Sequence, residues 1–591
     1  MKIKHLFGLA VIAAMTASCS SNEDLGTAGP GTGTNEAGVS YASITIDLPT
    51  TRGTRAEIDN FNGGTASEYA VNDATLLIFK KGTETSENNF KFVEAVPLGN
   101  LEPWKKDKTD DNGITTEATI TAELKQVTVG EGGDYYALVI LNNKDKDNKD
   151  KVSMPVSTTS FTDTYGTWNA AATVKNLIDY KKGFYMANAP EFKADAPEPT
   201  TLVPIKGIYR TKEEAHSQPG TTVHVERGLA KVTVGKGTGK DYFTGAKASG
   251  TNYSNDDVKI ESWALDVINK YSFPVHVTAG LKDGLTSTSQ TIPSYPEIWS
   301  NTEGKTDRFV SQVSAKGAFK RVYWGIDPNY SMDDLSEFSK CDEQFTLAAA
   351  DGSPVTWKDG SGSDNPLYCL ENTFDIKNMK QGQTTRVLLK ATYTPSVLSS
   401  PSVTDKTFFM IGNSSDIWTN ATLTDQIKSK AEEVLKTTTG VTVTLKGNLL
   451  EGGTHVLDAT NVEIKSGEDD KTADVVDKIN TKLGFDKDKG IGIKTYKDGE
   501  SYYIARIKHF GDDFTKWNPG ELYGTDNEKY LGRYGVLRNN WYDLTVNSIS
   551  GPGYPDVPKV KPDTPDDEDT KYINVSVKIL DWAKRSQEVE L

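Results

Sequence analysis

Residues 41–49 read YASITIDLP, and residues 572–579 read YINVSVKI. In the first, Ala42, Ile44, Ile46 and Leu48 alternate with Ser43, Thr45 and Asp47. In the second, Ile573, Val575, Val577 and Ile579 alternate with Asn574, Ser576 and Lys578. Successive side chains of a strand point to opposite faces, so each stretch is an amphipathic strand with one apolar face. Each hangs on a segment without apolar period: the Gly/Thr-rich residues 26–38 before the first, and GPGYPDVPKVKPDTPDDEDTK (551–571) before the second. Two strands of one pattern, both on tethers, could fill the same place in a sheet. The plain alternative is two ordinary edge strands of the terminal domains. What favours exchange is PTTRGTRA (49–56), a turn-like segment with two arginines that suits a trypsin-like or Arg-specific protease. A cut there frees strand 41–49 and leaves an unpaired apolar groove. A strand from a second molecule fills such a groove by β-augmentation, and donation in one direction builds an open filament.

The tether at 551–571 holds five prolines and six acidic residues, a composition that predicts an extended spacer outside any core. At about 3.1 Å per residue it would reach roughly 65 Å.

The N-terminus is an export signal. Lys2 and Lys4 precede an apolar run from Leu6 to Met15, which is too short to span a bilayer as a helix. Ala17 and Ser18 then lead into Cys19, which resembles a bacterial lipobox with Thr16 where Leu is usual. Cys19 is therefore the expected lipidation site, and an ordinary signal peptide with a chance cysteine is the other reading.

The 591 residues suggest two large domains or three of ordinary size. With 66 basic and 82 acidic residues the net charge is −16, which repels phosphate backbones and sets nucleic acid aside as a partner. Six histidines and three cysteines are too few for zinc sites or a cysteine framework. No cofactor is implied, and no constellation of residues points to an enzyme.

The body reads as short runs of Val, Ile, Thr and Tyr between Gly, Asn and Asp. Ala74–Phe79, Tyr135–Leu141, Val223–Val234, Val258–Val267, Arg386–Tyr393, Phe408–Ile411, Val441–Leu445, Tyr502–His509 and Trp541–Ile549 are the clearest. They predict an all-β chain of antiparallel sandwiches. Helices are few: Thr424 to Gly440 with Thr424 as N-cap, Thr472 to Gly484, and a weaker one at Val174–Tyr180. A domain boundary is expected within Arg210–Gly220.

Gly235–Lys240 lacks the spacing of a phosphate loop, and Asp145–Asp150 lacks the glycine and glutamate of a calcium loop. The latter reads as a solvated loop, with weak calcium binding left open. No metal-ligand spacing joins the histidines. Cys341 and Cys369 remain once the leader is gone, and the sequence leaves their pairing as a disulfide open.

The leader ending at Cys19, SYASITIDLP with TRAE, VERGLAKVTV (225–234), VLRNNWYDLTVNSI (536–549), the Pro/Asp tether and the ending VKILDW…SQEVEL together resemble the fimbrillins of Bacteroidales bacteria. The resemblance is greatest to the Mfa-type major subunit, the stalk protein of type V pili. It implies two tandem transthyretin-like antiparallel β-sandwich domains with a C-terminal donor strand. It also implies a division into signal peptide 1–19, propeptide 20–55, sandwiches 56–217 and 218–550, linker 551–571 and donor strand 572–591. By the resemblance Arg55 is the scissile residue and Ala56 the mature start, with Arg52 as a second cut, and Ile573, Val575, Val577 and Ile579 form the donor face. The implied partners are identical subunits, accessory, tip and anchor fimbrial proteins, an Arg-specific protease, and host or bacterial surface ligands. The implied place is a cell-surface fimbrium, reached as an outer-membrane lipoprotein precursor. An accessory or tip fimbrillin, or a surface glycan-binding lipoprotein, is the other functional reading.

Overall fold

The structure, a computed structural model, describes residues 38–48, 65–99, 101, 117–129, 134–157, 162–171, 176–192, 199–278, 320–322, 324–330, 332, 335–349, 352–509, 530–566 and 573–580. Strands dominate it, as the alternation predicts. The first sheet is built from β1 (Ser40–Asp47), β2 (Ala74–Lys80), β3 (Lys91–Pro97), β4 (Glu117–Leu124), β5 (Tyr135–Leu141), β6 (Met186–Asn188) and β7 (Thr221–Arg227). Their spatial order is β3-β2-β5-β6-β7-β1-β4, with Val203–Pro204 beside β5. The sheet curls until its two ends meet. The Glu94 carboxylate of β3 accepts the amide N–H groups of Lys125 and Gln126, just past β4, at 3.0–3.1 Å. The curl encloses one apolar core in which Leu76, Ile78, Leu138, Ile140, Val223 and Val225 are fully buried. Period-2 alternation gives way to continuous burial in β2 and β5 because both faces of these central strands are covered.

The chain changes sheets at Gly228. The expected single strand Val223–Val234 is two strands, β7 and β8 (Leu229–Lys236). β8 joins β10 (Leu367–Leu370), β13 (Trp541–Ile549) and β14 (Ile573–Leu580) in the order β10-β8-β13-β14. Facing them are β9 (Asp257–Asp266), β11 (Arg386–Thr394) and β12 (Glu500–Arg506), flanked by Ala246–Lys247 and Lys358–Asp359. Val232, Val234, Leu544 and Val546 of one sheet meet Ile260, Trp263, Leu389 and Tyr503 of the other in a second core.

Most strand pairs are antiparallel, as expected, and two are not. β1 runs parallel to β7, and β8 runs parallel to β13. Both pairs join strands distant in sequence, where no hairpin dictates direction.

Between β11 and β12 the chain builds a third core from helices and short strands. Here α3 (Asn420–Leu435) and α4 (Thr472–Leu483) pack on Val441–Leu445 and Val462–Ser466 through Ile427, Ala431, Val475 and Ile479. The helix at 424–440 starts earlier than its sequence suggests: Thr419, not Thr424, caps it, in a reciprocal capping box with Thr422. It ends at Lys436 in the left-handed region, before Gly440. The expected helix at Val174–Tyr180 is a single turn, Asn176–Ile178, among the described residues.

The two larger cores are joined by charge. Glu68, on α1 (Ala66–Tyr69), places a carboxylate oxygen 2.8 Å from Lys231 Nζ of β8, and both side chains are shut off from solvent. Tyr368 donates its hydroxyl to the same carboxylate at 2.5 Å, and Lys231 Nζ lies 3.9 Å from the Trp541 ring centroid. Arg227 Nε donates to the Glu68 carbonyl at 2.8 Å. A buried pair is strongly disfavoured when one partner is lost, so this cluster fixes α1 against the second sheet.

Candidate strand-exchange groove

β1 lies in the interior of the first sheet. It pairs antiparallel with β4 over its whole length, from Ser40↔Leu124 to Asp47↔Glu117, and parallel with β7 from Ile44↔Thr221 to Asp47↔His224. Its start is tied by a reciprocal backbone pair between Tyr41 and Tyr209, both bonds 2.8 Å, and by the Ser40 hydroxyl donating to the Val127 carbonyl at 2.8 Å. The apolar set read from the sequence, Ala42, Ile44, Ile46 and Leu48, is buried in the first core. Burying each of Ile44, Ile46 and Leu48 contributes roughly 1.5–3 kcal/mol, and the smaller Ala42 about 0.8 kcal/mol.

The other face of β1 is covered too, which alternation does not predict. Ser43 and Thr45 are buried. Above them run Gly220 and α2 (Lys212–Ser217), inside the polar stretch Arg210–Gly220. Thr211 caps α2 by accepting the Glu214 amide N–H, and Ala215 is its buried residue. Gly220 is required by close approach: a Cβ there would overlap the Thr45 hydroxyl and lie 3.2 Å from Ser43 Oγ. The Thr45 and Thr119 hydroxyls lie 2.9 Å apart across the β1–β4 pair. Ser43 Oγ makes no hydrogen bond among the described residues.

The C-terminal end of the groove is acidic. Asp47 lies opposite Glu117. Its carboxylate is 3.8 Å from His224 Nε2, and His224 Nδ1 is 2.6 Å from Glu191 Oε1. Asp47, the last strand residue, is less buried than Ser43 and Thr45 on the same face.

β14 carries the second pattern, Ile573, Val575, Val577 and Ile579. It pairs antiparallel with β13, from Trp541↔Leu580 to Ile549↔Ile573, with a bulge between Val546 and Ser548. The two similar strands thus occupy different sheets of one chain, β1 internal and β14 at an edge. Cys19, Arg52, Arg55 and Ala56 lie outside the described residues.

The tether before β14 is not the extended spacer that its composition predicts. From Gly551 to Asp566 it is a strap along the second sandwich, with Pro552, Pro555, Val557, Pro558 and Val560 buried. Tyr496 and Tyr503 donate their hydroxyls to the carbonyls of Gly553 and Gly551 at 2.8 and 3.0 Å, and Tyr502 and Tyr554 exchange backbone bonds. A Cβ at Gly553 would overlap the Tyr502 carbonyl. Arg386 Nη2 donates to the Pro558 carbonyl at 2.6 Å, and Arg506 Nε meets the Asp566 carboxylate at 2.6 Å in full burial. Partners spread over β11 and β12 override the composition, and sequence alone carries no signal of them.

The cysteine question left open by the sequence is answered: Cys341 and Cys369 are free thiols in separate apolar clusters. Cys341 Sγ donates to the Leu335 carbonyl at 3.1 Å. Burial pushes the thiols up, to about 11 for Cys341 and about 12 for Cys369, so neither is a ready nucleophile.

In the loop considered for calcium, Asp145 accepts the amide N–H groups of Asp147 and Lys149, and Lys144 pairs with Asp150. His276 binds Glu226, His455 the Glu451 carbonyl and His509 the Tyr542 hydroxyl. No group of three metal-ligating side chains stands together among the described residues.

Comparison with known proteins finds likeness to one family and to several solved structures. No curated protein matches the chain. Among solved structures, a fimbrilin from Porphyromonas gingivalis W83 is 11% identical, with 92% of this chain and 99% of that one covered at a TM-score of 0.35. The tip fimbrial protein Mfa3 from Porphyromonas gingivalis is 10% identical, with 92% and 100% covered at a TM-score of 0.27. A fimbrial assembly protein from Parabacteroides distasonis ATCC 8503 is 11% identical, with 59% and 95% covered at a TM-score of 0.23. These likenesses are weak in both identity and superposition. Residues 494–588, which hold β13, the strap and β14, match the family described as major fimbrial subunit protein type IV, fimbrillin, C-terminal. Over that span the chain is similar to the C-terminal region of fimbrillins, and the resemblance read from its sequence is borne out there.

Proposed function

We propose that this chain is the shaft subunit of a surface fimbrium, of the Mfa type, and that it supports adhesion. It is exported as a precursor lipidated at Cys19, cut after Arg55, and joined to its neighbours by exchange of strands. The observation that carries this reading is β1. It is hydrogen-bonded on both edges and buried on both faces, yet it lies just before the segment that holds Arg52 and Arg55. Its removal leaves β4 and β7 with facing unpaired edges above an apolar floor. Such a slot takes up another strand, and Ile573, Val575, Val577 and Ile579 repeat the alternation of the strand removed. To serve a second copy, β14 leaves β13. While β1 is in place the slot is filled, so the precursor stays monomeric until it is cut. On this reading the two sandwich domains meet at Gly228, because β7 belongs to the first sheet, rather than at the 217/218 boundary expected from the sequence, and the partners are identical subunits, accessory, tip and anchor proteins, an Arg-specific protease, and surface ligands.

The test is electron microscopy of sheared surface material from cells making the full chain, the chain lacking Tyr572–Leu591, or the chain with Val575→Asp and Val577→Asp. Both variants are expected as secreted, cleaved monomers, because a carboxylate entering an apolar slot is strongly disfavoured. Normal filaments from either would overturn the reading.

A further inference from the structure

The groove around β1 is not symmetric along its length. Its middle is roofed by Gly220 over Ser43 and Thr45, and its end at Asp47 opens on Glu191, His224 and Glu117. As seated, β1 places Asp47 directly opposite Glu117 and 3.8 Å from His224 Nε2, at the acidic end of the groove. The strand of the tail carries one charged residue between its apolar positions, Lys578, and that charge is of the opposite sign.

We propose that the groove takes strand 573–579 of a second copy of this chain in one orientation and one register, running as β1 runs, with Lys578 in the place of Asp47. The proposal rests on the strand-exchange reading above. In this register Asn574 takes the place of Ser43, and Ser576 that of Thr45. Ile573, Val575, Val577 and Ile579 replace Ala42, Ile44, Ile46 and Leu48, an exchange that alters the apolar complement by a single side-chain carbon. Cores tolerate exchanges best when total volume is kept, and here Ile573 in the place of the smaller Ala42 is offset by Val575 and Val577 in the places of two isoleucines. The Lys578 ammonium then faces Glu117 across the strand pair and reaches Glu191.

Other arrangements bury the ammonium or a second lysine. Reversal of the strand brings Lys578 to the place of Ser43, which is 4% exposed and beneath Gly220. A slip of two residues in one direction brings Lys578 to the place of Thr45, under the same glycine. A slip of two in the other brings Lys571 to the place of Ala42, which is fully buried in the first core. An uncompensated buried charge is strongly disfavoured, so position 47 selects among all of these.

Cysteine pairs read the register directly. Thr121 faces position 43 and Glu117 faces position 47 across the β1–β4 pair. In full-length chains carrying Asn574→Cys with Thr121→Cys, filaments are expected to run as a covalent ladder on a denaturing gel without reductant. With Asn574→Cys and Glu117→Cys they are expected to run as monomers. A ladder from the second pair, or from neither pair in filaments that form, overturns the register while leaving strand exchange intact. Charge reversal gives a readout that needs no cysteine. Lys578→Glu is expected to lower filament yield on the order of tenfold, and Glu191→Lys in the same chain to restore most of it. Unchanged yield with Lys578→Glu would overturn the role of position 47. Filaments formed by the chain lacking Tyr572–Leu591 would instead overturn the strand-exchange reading itself.

Discussion

Asp566 holds Arg506 at 2.6 Å in a place closed to solvent, and so fixes the end of the strap to β12. Only residues 567–572 separate that anchor from β14, against the 21 residues of tether apparent in the sequence. At about 3.3–3.6 Å per extended residue, the strand could move roughly 20 Å from its anchor rather than the 65 Å of a free spacer. On the strand-exchange reading proposed above, so short a lead would draw neighbouring subunits close.

Removal of one member of this pair leaves the other buried and uncompensated. Asp566→Ala is expected to lower stability by about 3–5 kcal/mol, while Arg506→Met with Asp566→Leu recovers most of the loss. Chemical denaturation of the three proteins measures both. A wild-type midpoint for Asp566→Ala would show that the strap is held elsewhere.

A side chain at Gly220 would fill the space above Thr45 and beside Ser43. Gly220→Val should crowd β1 and lower precursor stability by about 1–3 kcal/mol, visible as a drop in melting temperature. The same substitution far from the groove, at the exposed Gly239, should leave the melting temperature unchanged.

Lys151 is 4% exposed and donates to the Gly183 carbonyl at 2.9 Å. Burial lowers its pKa from the ordinary lysine value to about 8. The unfolded chain therefore binds more protons than the folded one between about pH 8 and pH 10.5. Folding stability contributed by this group should rise with pH through that window and be flat below it. Lys151→Met should remove the rise, as read from denaturation midpoints at pH 7, 8.5 and 10.

Cleavage is checked by N-terminal sequencing of filament protein, which is expected to begin at Ala56. Retention of residues 41–49 in every subunit would contradict maturation after Arg55. In the same material Cys341 and Cys369 should resist thiol reagents when folded and react when denatured, because both are buried and their thiols are pushed up. Loss of reactivity after denaturation without reductant would mean that the two are bonded.

Local pattern made much of the architecture readable. The limits of Phe408–Ile411, Val441–Leu445 and Trp541–Ile549 follow from alternation and flanking turn residues, because those signals act within a few positions. The apolar face of β1 was equally plain, since Ala42, Ile44, Ile46 and Leu48 can be satisfied only by a core. What local pattern does not contain is the identity of a neighbour far along the chain. The parallel pairing of β1 with β7, the roof of Gly220 over Thr45, the acid cluster of Asp47, Glu117 and Glu191, and the unpaired burial of Cys341 and Cys369 all depend on segments brought together from distant positions. The strap is the clearest case. Its prolines and acids read as a solvated spacer, yet Arg386, Arg506 and three tyrosines supply partners to its backbone and to Asp566. Composition tells what a segment can do alone, and only tertiary structure shows which of its polar groups find partners that make burial favourable.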